Sequence, residues 1–260
     1  MSSNLIPAGR RAGILAEVKE RGFASVDELA AKFNVSVITI RRDLDQLESD
    51  GAVERTHGGA IYTKHIAAES TYREKNEQNR EVKSAIGATA AGLAEAGETV
   101  FVNSGSTTFQ IIMSLIQIPG IRIVTNNIAA VMEAPAESSS ELILIGGNYR
   151  PASGCTTGDF AMQLVGQLNV SKTFIGADGI SLKNGITSPV SQEAAITRLM
   201  IERTAGPVVV AADSSKIGSV STFFTAGLSS VNFIVTDGGF DESFRPDFEE
   251  AGIRIIKAGE

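Results

Sequence analysis

The sequence predicts an α/β protein in two parts. A winged helix-turn-helix occupies residues 1–62, and a link over 63–80 leads to a mainly parallel α/β domain over 81–260. Three observations predict this. Two short helical patterns joined by a tight turn stand near the N-terminus, followed by a hairpin pattern bearing Gly58-Gly59. From residue 81 onward, short apolar runs alternate with helical stretches. Those runs are continuous rather than alternating, as in parallel strands covered on both faces.

Composition sets the bounds. The chain has 260 residues, 43% hydrophobic and 20% charged, enough for a small and a medium domain with ample core. One cysteine, Cys155, excludes an internal disulfide, fits a reducing cytoplasm and is expected to pack in the core. No apolar core follows Arg10 and Arg11, so no signal peptide is expected, and no apolar run reaches membrane-spanning length. The expectation is a soluble, cytoplasmic protein with no membrane partner. The net charge of −7 argues against bulk attraction to nucleic acid. Residues 1–60 carry 8 Lys/Arg against 9 Asp/Glu, so any DNA contact must come from a few well-placed cations. His57 and His65 stand apart from any Cys or carboxylate cluster at ligand spacing, so neither a metal nor a cofactor is expected.

Residues 10–21 read as a first helix, with Ile14, Leu15 and Val18 apolar and Gly22 as the stop. Ser25-Val26-Asp27-Glu28 is a capping-box pattern, opening a second helix whose Leu29, Ala30 and Phe33 face inward. After the tight Asn34-Val35 connection, Ser36 caps a third helix that ends at Gly51. Val37, Ile40, Leu44 and Leu47 form its apolar stripe. At about 100° per residue, Ile38, Arg42, Asp45 and Gln46 fall opposite, with Thr39 and Arg41 on the flanks. A helix packed on one side and showing arginines near its N-terminus on the other suits a DNA major groove. Arg42 and Arg41 are therefore the candidates for base edges or phosphates. Ser36, Thr39 and the wing residues Arg55, His57 and Gly58 are the candidates for the backbone. Asp43 lies toward the core and is expected to orient an arginine. The plain alternative for Arg41 is a surface pair with Asp45, worth about 0.3–0.5 kcal/mol.

Residues 67–80 are polar, without an apolar stripe, and read as a linker or an exposed helix. Ile86, Ala90 and Leu93 mark a helix ending at Gly97. Strands are expected at 99–102, 121–124, 142–145, 173–175, 208–211, 233–235 and 253–256. Ligands of such sheets bind at the carboxyl ends of the strands. Here Asn103-Ser104-Gly105-Ser106-Thr107-Thr108 follows one strand and opens a helix, whose N–H groups and hydroxyls suit a phosphate. Loops with Asn126, Gly147, Asp178 and Lys216 follow other strands, adding an amide, a carboxylate and a cation. The set suits a sugar phosphate, with Lys216 on the phosphate and Asp178 and Asn126 on hydroxyls.

Arg10, Ile14, Val18, Ser36, Thr39-Ile40-Arg41-Arg42-Asp43-Leu44 and His57-Gly58-Gly59-Ala60 resemble the DeoR family of bacterial transcription regulators. The strand-end loops resemble the family's sensor domain, so the likeness covers nearly the whole chain. That domain in turn resembles ribose-5-phosphate isomerase and glucosamine-6-phosphate deaminase. The resemblance implies a repressor of a carbohydrate uptake or catabolism operon, released from a double-stranded DNA operator by a phosphorylated sugar. Many members carry Asp where this chain has Asn103. One head offers few cations, so two heads on repeated half-sites, and hence a homo-oligomer, are expected. The alternative is an isomerase-like enzyme fused to a DNA-binding head, with Asp178, Lys183 and Glu193 as its acid/base set. Against it, the isomerases show Asp-Gly-Ala-Asp-Glu where this chain has Ile175-Gly176-Ala177-Asp178-Gly179, so two carboxylates are missing.

Overall fold

The computed structural model describes residues 7–21, 23–56, 58–62, 71–135 and 139–259. The head comprises α1 (Pro7–Arg21), β1 (Phe23–Ser25), α2 (Val26–Phe33), α3 (Val37–Ser49), β2 (Val53–Arg55) and β3 (Gly59–Tyr62). The Ser25–Glu28 capping box is formed at both ends, and Asn34 ends α2 in the left-handed conformation. Ile14, Val18, Leu29, Ile40, Leu44 and Val53 make one buried cluster. Burying each large apolar side chain contributes about 1.5–3 kcal/mol, which fixes the helices against the antiparallel β1-β3-β2 sheet.

The second part begins with α4 (Tyr72–Glu77), α5 (Arg80–Ala91), β4 (Thr99–Val102), α6 (Ser106–Leu115), β5 (Arg122–Thr125), α7 (Ile128–Glu133) and β6 (Glu141–Leu144). It continues with β7 (Asn148–Arg150), β8 (Cys155–Thr157), α8 (Asp159–Gly166), β9 (Lys172–Gly176), β10 (Gly179–Ser181), β11 (Gly185–Ser188) and α9 (Ser191–Glu202). It closes with β12 (Val208–Ala211), β13 (Phe223–Ala226), β14 (Phe233–Thr236), α10 (Arg245–Glu250) and β15 (Arg254–Lys257). The seven expected strands form one parallel sheet, in the order β15-β14-β12-β9-β4-β5-β6. On one face Val100, Val102, Ile123 and Phe174 pack against α5 and α6. On the other, Phe101, Val124 and Ile145 meet Ala161 and Val165 of α8 and Ile196 and Met200 of α9. Cys155 is fully buried.

Two differences from expectation matter. Within the span read as a linker or an exposed helix, the helix reading holds, as α4 capped by Thr71 and Glu74; α5, however, begins at Arg80 and ends at Ala91, short of Gly97. A small antiparallel sheet, β10-β11-β13, stands beside the main one. Among the described residues, no helix is long and apolar enough to cross a membrane.

Candidate DNA-reading helix and effector cavity

Ser36 caps α3, accepting from the Thr39 N–H at 3.2 Å, and its hydroxyl meets that of Thr39 at 2.9 Å. The helix buries Ile40, Asp43, Leu44 and Leu47. Asp43 orients an arginine as expected: Arg10 Nε donates to Oδ2 at 2.6 Å and Nη2 to Oδ1 at 3.3 Å, with Arg11 Nη1 at 3.8 Å. The hydrogen bond to Asp43, opposed by burial, raises the Arg10 pKa further. Asp45 pairs with Arg55 at 3.3 Å rather than with Arg41. Arg55 is thus held within the head, and its Nη1 also reaches Gly59 O at 3.5 Å. Arg41 and Arg42 are exposed and form no ion pair among the described residues. Ile38, 66% exposed, stands one turn before Arg42. Gly58 is exposed at the wing turn, and His57 lies outside the described residues.

The strand order reverses between β4 and β9, where a crevice opens. Asn103 and the first turn of α6 line it. Gly105, with φ of 146°, turns the chain so that the N–H groups of Ser106 and Thr107 start the helix with no intrahelical partner. Asn103, Ser104, Gly105, Ser106, Thr107, Asp178 and Lys216 all line one cavity. Thr108, Asn126 and Gly147 do not. Thr108 is fully buried and its hydroxyl donates to Gly105 O at 3.1 Å. Asn126 is fully buried and its Nδ2 donates to Thr156 O at 2.9 Å. Gly147, with φ of 152°, packs so tightly that a Cβ would lie 2.5 Å from Thr157 O.

Sequence reasoning missed Tyr72, Lys75 and Gln78 near α4, Asn79 and Lys83, all of which line the same cavity. Lys83 left a signal: it falls on the same helical stripe as Ile86, Gly87 and Ala90, which marks a buried cation. Its Nζ donates to the carbonyls of Lys75 and Gln78, the latter at 2.7 Å. Burial lowers its pKa, and the charges of Lys216 and Lys75 add to that against the pull of Asp213. Lys75 pairs with Asp178. Glu193 accepts from Ser153 and Arg150, and burial raises its pKa against those contacts. The cavity therefore gathers Lys75, Lys83 and Lys216 with Asp178, Glu193 and Asp213. Burial raises the Tyr72 phenol to about 12 and the neighbouring Cys155 thiol to about 11, so both are neutral at pH 7. Lys183 does not line the cavity. Among the described residues, no cluster of His, Cys, Asp or Glu is arranged to hold a metal.

Residues 10–65 match the DeoR-like helix-turn-helix domain and residues 78–238 the DeoR C terminal sensor domain. The HTH-type transcriptional regulator GlpR of Haloferax volcanii is 33% identical over 252 residues, covering 97% of this chain and 98% of that protein. The transcriptional repressor AccR of Agrobacterium fabrum is 31% identical, covering 88% and 89%. The putative aga operon transcriptional repressor of Escherichia coli O157:H7 is 30% identical, covering 96% and 94%. A ribose 5-phosphate isomerase A structure from Methanocaldococcus jannaschii aligns over 54% of this chain and 55% of its own, with 16% identity and a TM-score of 0.40. The full-length relatives are regulators rather than enzymes, and this chain belongs with them to the DeoR family of DNA-binding transcriptional regulators.

Proposed function

We propose that the chain is a cytoplasmic, homo-oligomeric repressor of a carbohydrate uptake or catabolism operon, released from its operator when a phosphorylated sugar fills the cavity. The observation that carries this reading is the lining of the cavity. The unpaired N–H groups at the start of α6 and the Lys216 ammonium suit a phosphate, while Asp178, Glu193 and Asp213 suit sugar hydroxyls. In the head, α3 enters the major groove with Arg42 at a base edge, Arg41 in reserve, and Ser36, Thr39 and Gly58 along the backbone. Arg55 supports them through Asp45. Ile38 lies on the same exposed face and suits a thymine methyl.

The enzyme alternative loses one member of its acid/base set, because Lys183 stands outside the cavity. A thermal-shift screen with phosphorylated sugars tests the proposal, since a ligand at 100 times its Kd stabilises by about 2.7 kcal/mol. A hit should weaken operator binding in a gel shift by roughly 5–150-fold, and Lys216→Ala should blunt that effect while operator affinity without ligand persists. If no phosphorylated sugar stabilises the protein or alters operator binding, the reading fails.

A further inference from the structure

Successive residues of β2 point to opposite sides: Val53 packs into the head core and Glu54 faces away. On an isolated wing that carboxylate would stand in water. Here Glu54 is 5% exposed, covered by the second domain. Its Oε2 accepts from Ser181 Oγ at 2.6 Å and its Oε1 from the Lys183 backbone N–H at 2.7 Å. Ser181 Oγ accepts in turn from Asn184 N at 3.0 Å and Nδ2 at 3.2 Å, which directs its own proton to Glu54. No cation pairs with Glu54 among the described residues. A buried carboxylate satisfied only by two donors of a neighbouring turn is sensitive to where that turn sits, because hydrogen bonds weaken steeply with distance and angle.

The turn belongs to the β10–β11 hairpin, which also walls the cavity. Ile186, Thr187 and Ser188 line it directly. β10 is tied to the segment after Lys216, since the Gly218 N–H donates to Ile180 O at 2.8 Å. Thr187 Oγ1 donates to Gly179 O at 3.3 Å and accepts from Ser221 N at 2.8 Å. The packing is closed there: a Cβ on Gly179 would lie 2.5 Å from Ser219 O. Packed this closely, the hairpin and the segment after Lys216 have little room to move independently of each other. We infer that Glu54 is a positioning residue that carries the state of the cavity to the wing, through the β10–β11 hairpin. The inference rests on the reading of the cavity as an effector site.

Hydrogen exchange on the full chain tests it, with D-ribose 5-phosphate, D-glucose 6-phosphate and D-fructose 6-phosphate as probes. A sugar phosphate that protects residues 103–108 should also change exchange at the Lys183 amide and in wing residues 53–56, by at least about fivefold. In Glu54→Ala the protection at 103–108 should persist and the wing response should vanish. Glu54→Gln, which keeps one acceptor, should restore part of the response. Ser181→Ala removes a donor from the other side and should lower the wing response even if Glu54→Ala does not fold. A protected cavity with an unchanged wing, or a wing response that survives both alanine variants, overturns the inference and leaves the proposed function standing. If neither these three nor any other phosphorylated sugar of the thermal-shift screen protects 103–108, the sugar-phosphate reading falls and the inference with it.

Discussion

Asn103 and Gly176 exchange two hydrogen bonds across the gap between β4 and β9. The Gly176 N–H donates to Asn103 Oδ1 at 2.8 Å, and Asn103 Nδ2 donates back to Gly176 O at 3.4 Å and to Thr197 Oγ1 at 3.2 Å. One side chain thus joins the two halves of the sheet where their strand order reverses. It does so with both ends of an amide. Asn103→Asp removes the donor and turns an acceptor toward the Gly176 carbonyl. Stability should fall by about 1–3 kcal/mol, the cost of an unsatisfied buried group. Denaturant unfolding of the full chain measures this, and an unchanged midpoint would show that the donor is dispensable.

The Arg10–Asp43 pair sets α1 against α3. Asp43→Ala removes both oxygens to which the Arg10 fork donates and should destabilise the head by about 1.5–3 kcal/mol, the range for hydrogen bonds to a charged group. Arg10→Lys keeps the charge but loses the two-point fork, so it should fall between wild type and Asp43→Ala. Thermal unfolding followed through the head's transition separates the three proteins.

Arg42 is solvent-facing, so Arg42→Ala should leave the unfolding curve unchanged. It should lower operator affinity by about 1–3 kcal/mol, the range for a bidentate guanine contact. Ile38→Ala should act differently, abolishing discrimination between thymine and uracil at one position of a selected duplex. A gel shift comparing the two duplexes reads this directly. Equal loss on both would mean that Ile38 does not meet a methyl group.

Glu193 makes stability depend on pH. Its pKa in the fold is raised above 4.5 by burial, so the folded state holds the proton more tightly than the unfolded chain. The contribution is fully present below 4.5 and is lost as pH rises through the raised value. Glu193→Gln mimics the protonated form, so its stability should gain on the wild type across that window and run parallel to it above. Unfolding free energies measured from acid to neutral pH test the sign.

The main sheet was legible because its middle strands are covered on both faces and read as continuous apolar runs. Val208-Val209-Val210-Ala211 and Phe233-Ile234-Val235 could be little else. The β10-β11-β13 sheet was not legible. Gly179-Ile180-Ser181 is three residues long and weakly apolar, and it is a strand only because β11 and the rest of the domain surround it. The cavity was legible where glycine and hydroxyl residues follow strands, as at 103–107, and illegible where α4 supplies it. Even so, Thr71 and Glu74 form a local capping box that favours the helix in a stretch read as a linker or an exposed helix. Thr108 and Gly147 serve the turns that shape the crevice, and so does the Nδ2 of Asn126, whose Oδ1 is buried without a hydrogen-bond partner among the described residues. Asp43 could be assigned to an arginine from helical spacing, whereas Asp45 chose Arg55 because the wing folds back onto α3.

α4 has a consequence for the cavity. Among the described residues it is the first helix after the wing, and it is fastened by Lys75 to Asp178 and by the Tyr72 N–H to Ala152 O at 2.7 Å. α4 is therefore moored on the rim of the cavity. Under the proposed function, the Lys75–Asp178 contact that holds it is one for which an entering anion competes, so the ligand would also loosen a helix that walls its own site.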